Sequence, residues 1–363
     1  MSLHPLVGHL TARKRLSQAA RSGKLPQVLL LTGPAGVAKQ RMALWLAQMA
    51  LCEQKGAEPC GVCRACRLVA SLSHPDVHWF VPIPRPKASD TDKQVEEAAQ
   101  SIAQVLSDRR ADPLYPASDG MASHSLASVR LLQREASLTA AEGGARVFIL
   151  AEADRLIAQE SSQEAANALL KLLEEPPAGS LFVLTTVEPR RLLSTMRSRA
   201  VPIRLGRLSD AEVGAFLTAH VRPALSGREM EQRIALADGS IGVALRAGDD
   251  AGKAQQAAHL WLEAVLAGPG PSFERSLRQT PWAARGEFTA MLDALAETLS
   301  EAARGTLGQP VRRVVPEALM RHRQPDPLLK AMDRVADARE AAWGNVNPQI
   351  LLAVLGEELA EVL

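Results

Sequence analysis

Short apolar runs alternating with helical patterns fill the chain as far as residue 207, and no other feature limits its fold so strongly. Val28-Leu-Leu-Leu-Thr32, Val77 to Ile83, Arg146-Val-Phe-Ile-Leu-Ala151, Leu181-Phe-Val-Leu-Thr-Thr186 and Val201-Pro-Ile-Arg-Leu205 read as strands. Helical periodicity runs from Ala38 to Leu51 through Met42, Leu46 and Met49, from Leu126 to Leu138, and from Gln163 to Glu174 ahead of Pro176-Pro177. Continuously apolar strands separated by helices predict a parallel sheet with helices on both faces. Residues 84–124 interrupt the alternation. They are rich in Pro, Asp, Ser and Ala, with one amphipathic stretch from Val95 to Leu106, and predict a partly helical, mobile insertion. Beyond Leu208 the patterns are helical, from Ser209 to about Gly248 and from Ala254 to Leu363. The expected organisation is one α/β domain over 1–207 and helical domains over 208–250 and 251–363. Trp261, Trp282 and Trp343 fall on apolar periodic positions of the last domain and read as core.

The first run ends in Gly33-Pro-Ala-Gly36-Val-Ala38-Lys39-Gln40, between a strand and a helix. A phosphate loop of the form G-x-x-x-x-G-K-[ST] belongs in that place: its backbone N–H groups cradle phosphates, its lysine reaches the terminal ones, and its hydroxyl holds magnesium. Gly33 and Lys39 fit, with Gly36 inside the loop. Ala38 stands where the second glycine should be, and Gln40 replaces the hydroxyl. The third run continues as Ala151-Glu152-Ala153-Asp154, where an NTPase strand would end in an acidic cluster. Ala151 occupies the position of the magnesium-binding aspartate. Glu152 and Asp154 read equally as acidic bias at the start of the next helix. Two magnesium contacts missing at separate places point to a loop descended from an NTPase that no longer hydrolyses.

All four cysteines lie between residues 52 and 66, as Cys52 followed by Cys60-Gly-Val-Cys63-Arg-Ala-Cys66. C-x2-C-x2-C spacing gathers thiolates around one ion, and four sulfurs suit tetrahedral zinc. Pro59 and Gly61 favour the required turn. A disulfide pair, free buried thiols and an iron–sulfur cluster are the alternatives. Met1-Ser2-Leu3-His4-Pro5 lacks the pattern of a secretory signal, so a reducing, cytoplasmic setting is expected, where structural disulfides are rare. A cluster with four protein ligands has no open position and predicts a structural role.

Composition removes other classes. Of the 363 residues, 47% are hydrophobic and 23% charged, which excludes disorder, and no apolar run is long enough to span a bilayer. The 42 basic and 40 acidic residues leave a net charge of +2, and aromatics make up 3%. That balance argues against holding nucleic acid by bulk charge alone, and the few aromatics argue against base-stacking platforms.

Taken in order, these residues resemble the clamp-loader branch of the AAA+ ATPases. The resemblance rests on Leu25-Pro-Gln-Val-Leu-Leu-Leu before the phosphate loop, the four-cysteine knuckle, His74-Pro-Asp76 and Asn167-Ala-Leu-Leu-Lys171-Leu-Leu-Glu174-Glu175-Pro176-Pro177. Thr185 and Thr186 stand at the place of sensor 1, followed by Thr195-Met-Arg197-Ser198-Arg199. Asp238-Gly-Ser240 and Asn345-Val-Asn347-Pro-Gln-Ile-Leu-Leu complete the match, which spans nearly the whole chain outside 84–124. The resemblance implies a P-loop AAA+ domain followed by a small helical lid over 208–250 and a helical oligomerisation collar over 251–363.

The family's Ser-Arg-Cys motif stands here as Ser198-Arg199-Ala200. The resemblance implies that Arg199 projects into the ATP site of a neighbouring motor subunit, as arginine fingers do. Taken alone, Arg199 reads as a solvated or salt-bridged surface residue. Motor subunits carry a sensor 2 arginine where this chain has Ser240-Ile-Gly242. Such losses characterise the family's stationary subunit, so the expected role is a non-hydrolysing subunit, with weak nucleotide binding through Lys39 and the loop backbone as the remaining nucleotide chemistry. The implied partners are motor and delta subunits, the sliding clamp, and primer–template DNA through the assembly, with no membrane. The competing readings are an active motor subunit and a zinc-dependent nucleic-acid-binding module with Arg64 and Arg67 beside the knuckle.

Overall fold

The computed structural model describes residues 3–112, 122–142, 144–157, 163–246, 249–281, 286–342 and 346–363. Trp282, Trp343, Asn345, Gly248 and residues 113–121 of the insertion lie outside them. The chain divides into two compact units, one of Met1–Met230 with Ala237–Val243, the other of Glu231–Leu236 with Ala244–Leu363.

In chain order the first unit begins with α1 (Leu10–Arg21), β1 (Val28–Thr32), α2 (Lys39–Leu51), α3 (Arg64–Ala70), β2 (Val77–Phe80), α4 (Thr91–Ala111), α5 (Leu126–Ser137) and β3 (Arg146–Leu150). It continues with α6 (Gln163–Glu174), β4 (Ser180–Thr186), α7 (Ser194–Arg197), β5 (Val201–Arg204), α8 (Asp210–His220), α9 (Gly227–Ala237) and α10 (Ile241–Arg246), of which the last two reach into the second unit.

The sheet is parallel throughout, in the order β2-β3-β4-β1-β5. β1 sits between β4 and β5, with Leu31 beside Thr185 and Ile203. Its apolar run is continuous because both faces are covered. α2 is buried nearly all round, through Met42, Ala43, Leu44, Trp45, Leu46 and Ala47. β5 is one of the two edge strands: it is mostly exposed and carries Pro202, which an inner strand would not tolerate. α6 stops at Glu174 because Pro176-Pro177 cannot continue a helix. α8 and α9 each start with a capping box, Ser209 with Glu212 and Ser226 with Glu229.

The structure changes two expectations. The strand expected from Val77 to Ile83 ends at Phe80, since Pro82 has no N–H to donate. Ile83 instead makes an isolated antiparallel bridge with Ser123, so the inserted segment leaves and returns at one point. The helix in that segment is longer than its amphipathic stretch and packs on the main core. Asp90 caps it by accepting from the Lys93 N–H at 3.0 Å, and Ala98 and Ile102 are buried in the main core.

The second unit is helical: α11 (Asp249–Ala267), α12 (Pro269–Leu277), α13 (Glu287–Thr306), α14 (Asp326–Ala341) and α15 (Pro348–Val362). Trp261 is buried at its centre, with Nε1 donating to Ser276 Oγ at 3.4 Å. Gly356 makes this packing feasible, because a Cβ there would lie 2.3 Å from Ser272 Oγ.

Candidate functional site

A parallel sheet presents its functional loops beyond the carboxyl ends of its strands. Here the loop after β1, the turn after β3 and the end of β4 share that edge.

The phosphate loop keeps its strained shape. Gly33 has φ 147°, and a Cβ there would meet the Leu205 carbonyl oxygen at 2.2 Å. Gly36 has φ 71°, and Ala38, the residue before α2, has φ 69°. An L-residue held left-handed costs roughly 1–2 kcal/mol. Ala38→Gly should therefore stabilise the protein, by about 0.5–1 kcal/mol after the glycine's larger unfolded-state entropy is subtracted. A raised denaturation midpoint would verify it.

The groups that would meet a nucleotide are engaged within the chain. Lys39 is 8% exposed, and its Nζ donates to the carbonyls of Gly33 at 2.8 Å and Pro34 at 2.6 Å. Burial draws its pKa down to about 8, against the opposing pull of the Asp154 and Glu152 carboxylates. Gln40 Oε1 accepts from Arg109 Nη1 at 3.0 Å, and the Arg109 guanidinium lies 4.7 Å from the Trp79 ring centroid. Glu152, at φ 51°, pairs with Arg155 at 2.8 Å. Its N–H donates to Thr185 Oγ1 at 3.1 Å. Asp154 is buried and accepts from Thr186 Oγ1 at 2.6 Å. The Asp154 carboxylate and the Glu152 N–H thus tie the turn after β3 to β4, a use beyond biasing the start of the next turn.

Residues around 240 close over the loop. Gly242 N–H donates to the Gly36 carbonyl at 3.0 Å, and Ser240 Oγ to the Ala35 carbonyl at 3.1 Å. A Cβ on Gly36 would stand 2.2 Å from Ser240 Oγ, and one on Gly242 would stand 2.8 Å from Gly36 Cα. From the other side His9 Nε2 donates to the Val37 carbonyl at 2.8 Å. Gly242, which in the sequence marks an absent arginine, is thus a docking position where only a residue without a side chain fits. His9, Arg109 and His124 carry no sequence signal for the parts they play. His124 is fully buried, and its Nε2 donates to the Ala151 carbonyl at 2.7 Å while Nδ1 has no partner. Burial pushes its pKa down to about 4, so it is neutral at pH 7.

The cysteines converge as their spacing predicts. The four sulfurs lie within 4.8 Å of one another, with Cys52 and Cys66 buried and none joined in a disulfide. A tetrahedral ion with bonds of about 2.3 Å to sulfur needs sulfur–sulfur edges of about 3.8 Å, so the set fits after small adjustments. Backbone N–H groups already point at sulfur: Cys60 N to Cys52 Sγ at 3.4 Å, Cys63 N to Cys60 Sγ at 3.3 Å and Cys66 N to Cys63 Sγ at 3.4 Å. The N–H groups of Cys63 and Val62 draw the Cys60 thiol down to about 7, whereas burial pushes Cys66 up. The knuckle is tied to the helices beneath it. Glu58 accepts from Trp45 Nε1 at 2.7 Å and pairs with Arg13 at 2.8 Å, and Gln48 Nε2 donates to the Cys66 carbonyl at 3.0 Å.

Arg199 makes its contacts elsewhere than on the loop. Just past α7, its Nη2 pairs with Glu174 Oε1 at 2.5 Å, and its Nη1 donates to the Thr195 carbonyl at 2.7 Å. The neighbouring Ala200 is buried, a position that a small side chain fills.

The sheet order, the loop after β1 and the residues that close on it define an α/β protein of the P-loop kind. A family model described as DNA polymerase III, delta subunit, matches residues 8–209, and the chain belongs to that family. It is 32% identical over 186 residues to DNA polymerase III subunit delta' of Bacillus subtilis, covering 51% of this chain and 44% of the relative. It is 33% identical over 226 residues to the delta' subunit of Pseudomonas aeruginosa, covering 62% and 56%. The chain thus spans about half the length of these relatives. It is also 30% identical over 207 residues to DNA polymerase III subunit gamma/tau of Mycobacterium tuberculosis, covering 56% of this chain and 29% of the relative.

Proposed function

We propose that the chain is a non-hydrolysing, delta'-like subunit of a bacterial DNA polymerase III clamp loader. In this reading it joins motor and delta subunits in the cytoplasm and helps place the sliding clamp at primer–template junctions. It contributes Arg199 in trans, and Cys52, Cys60, Cys63 and Cys66 hold a structural zinc ion. Any DNA contact belongs mainly to the assembly, as the near-neutral charge suggests.

The observation that carries the reading is that the phosphate loop is spent on its own chain. Lys39 is bound to loop carbonyls, Gln40 to Arg109 and Asp154 to Thr186, and Gly36 is covered by Gly242. A hydrolysing site needs its lysine for phosphate and a hydroxyl and an aspartate for the metal, and here Gln40 and Ala151 stand where the last two belong. The purified chain should therefore turn over no ATP in the presence of magnesium, and Lys39→Ala should change nothing. Robust hydrolysis that disappears in Lys39→Ala would overturn the proposal in favour of the motor-subunit reading, which the gamma/tau similarity supports.

A further inference from the structure

The sequence offers no purpose for the segment 84–124, and its described parts touch both residues at which a magnesium contact is lost, one through its side chain and one through its backbone. Gln40 stands at the position of the magnesium-binding hydroxyl, and the side chain that meets it is Arg109, near the end of α4. Ala151 stands at the position of the magnesium-binding aspartate, and the side chain that meets its carbonyl is His124, at the segment's end. The Ile83–Ser123 bridge clamps the two ends of the segment together, immediately before His124.

Arg109 is held too firmly for a chance surface contact. It is 3% exposed, its guanidinium lies against Trp79, and the helix that carries it is seated in the core through Ala98 and Ile102. A guanidinium does not lose its proton in a protein, so this is a permanent positive charge at the start of α2. A divalent cation entering there would meet that charge, with the Gln40 oxygen already taken.

We propose that the insertion is a built-in plug for the magnesium position: Arg109 supplies the fixed cation at Gln40, and His124 secures Ala151 behind it. The proposal rests on the non-hydrolysing reading and goes beyond it, because it makes the exclusion of metal a property of the inserted segment as well as of the two lost ligands. Restoring the ligands alone should then be insufficient.

The test measures ADP binding by the purified full chain, with magnesium and with EDTA, in variants built on Gln40→Thr plus Ala151→Asp. With Arg109 in place, the paired substitutions should gain no magnesium-dependent affinity. Adding Arg109→Met, which keeps apolar contact with Trp79, should raise ADP affinity at least about tenfold in magnesium over EDTA. Adding Arg109→Lys instead, which retains the charge, should give no gain, and thermal melts of each variant establish that it is folded. The proposal falls if the paired substitutions gain magnesium dependence without any change at Arg109, if Arg109→Met gives no gain, or if Arg109→Lys gains as much as Arg109→Met. None of these outcomes depends on the hydrolysis assay of the unmodified chain, so the two readings can fail separately.

Discussion

Arg199→Ala should leave the isolated chain folded and sharply reduce the DNA-stimulated ATPase of a loader reconstituted with it. The stability side follows from exposure. The Arg199 side chain is 32% exposed and that of Glu174 43%, so their ion pair is screened and contributes at most about 1 kcal/mol. The melting temperature should barely move. The catalytic side follows from charge. An arginine finger opposes negative charge that develops on the transferred phosphoryl group and accounts for about 10³-fold or more in kcat at the site it serves. Only one interface of the assembly would hold this residue, so the steady-state rate should fall less than that, by about tenfold or more if turnover at that site limits the cycle. Arg199→Lys should not restore the rate, since an ammonium lacks the planar fork that meets two phosphate oxygens at once. Steady-state ATPase with clamp and primed DNA is the measurement, and an unchanged rate would remove the assignment.

Loss of metal from the cysteine cluster should unfold the first unit or leave it severely destabilised. A zinc site of this kind contributes about 10–16 kcal/mol to the folding of small zinc-binding peptides, and a larger core retains part of its structure without it. Cys63→Ser removes one sulfur from the set while its hydroxyl can still accept the Cys66 N–H at the start of α3, so its effect isolates the loss of the ligand. The damage should spread through Glu58 to Arg13 on α1 and Trp45 on α2. Elemental analysis should find one zinc per chain, and a strong chelator should lower the melting temperature by ten degrees or more, as a loss of several kcal/mol does in a domain of this size. A preparation without metal and with an unaltered melting curve would refute the site.

Much of the first unit is legible in the sequence because its information is local. The runs at Val28–Thr32 and Arg146–Leu150 are apolar at nearly every position because those strands are covered on both faces, and the structure places them inside the sheet. The cysteine cluster is legible for the same reason, since spacing over a few residues decides whether sulfurs can converge. The loop from Gly33 to Lys39 likewise carries its shape in the positions of its glycines. The last unit was legible only in outline: helical periodicity located its helices, but not how Gly356 admits Ser272 and Trp261.

The class of sheet, the cysteine set and the damage to the phosphate loop can be read along the chain, because each depends on residues close together in it. The tertiary structure alone decided what became of the damaged loop. Gln40 meets Arg109 across 69 positions, Gly36 meets Gly242 from beyond the sheet, and Glu174 holds Arg199 after an intervening strand. No periodicity or spacing encodes such pairs. They form because packing the core carries distant segments to the same edge of the sheet, where buried polar groups must find partners.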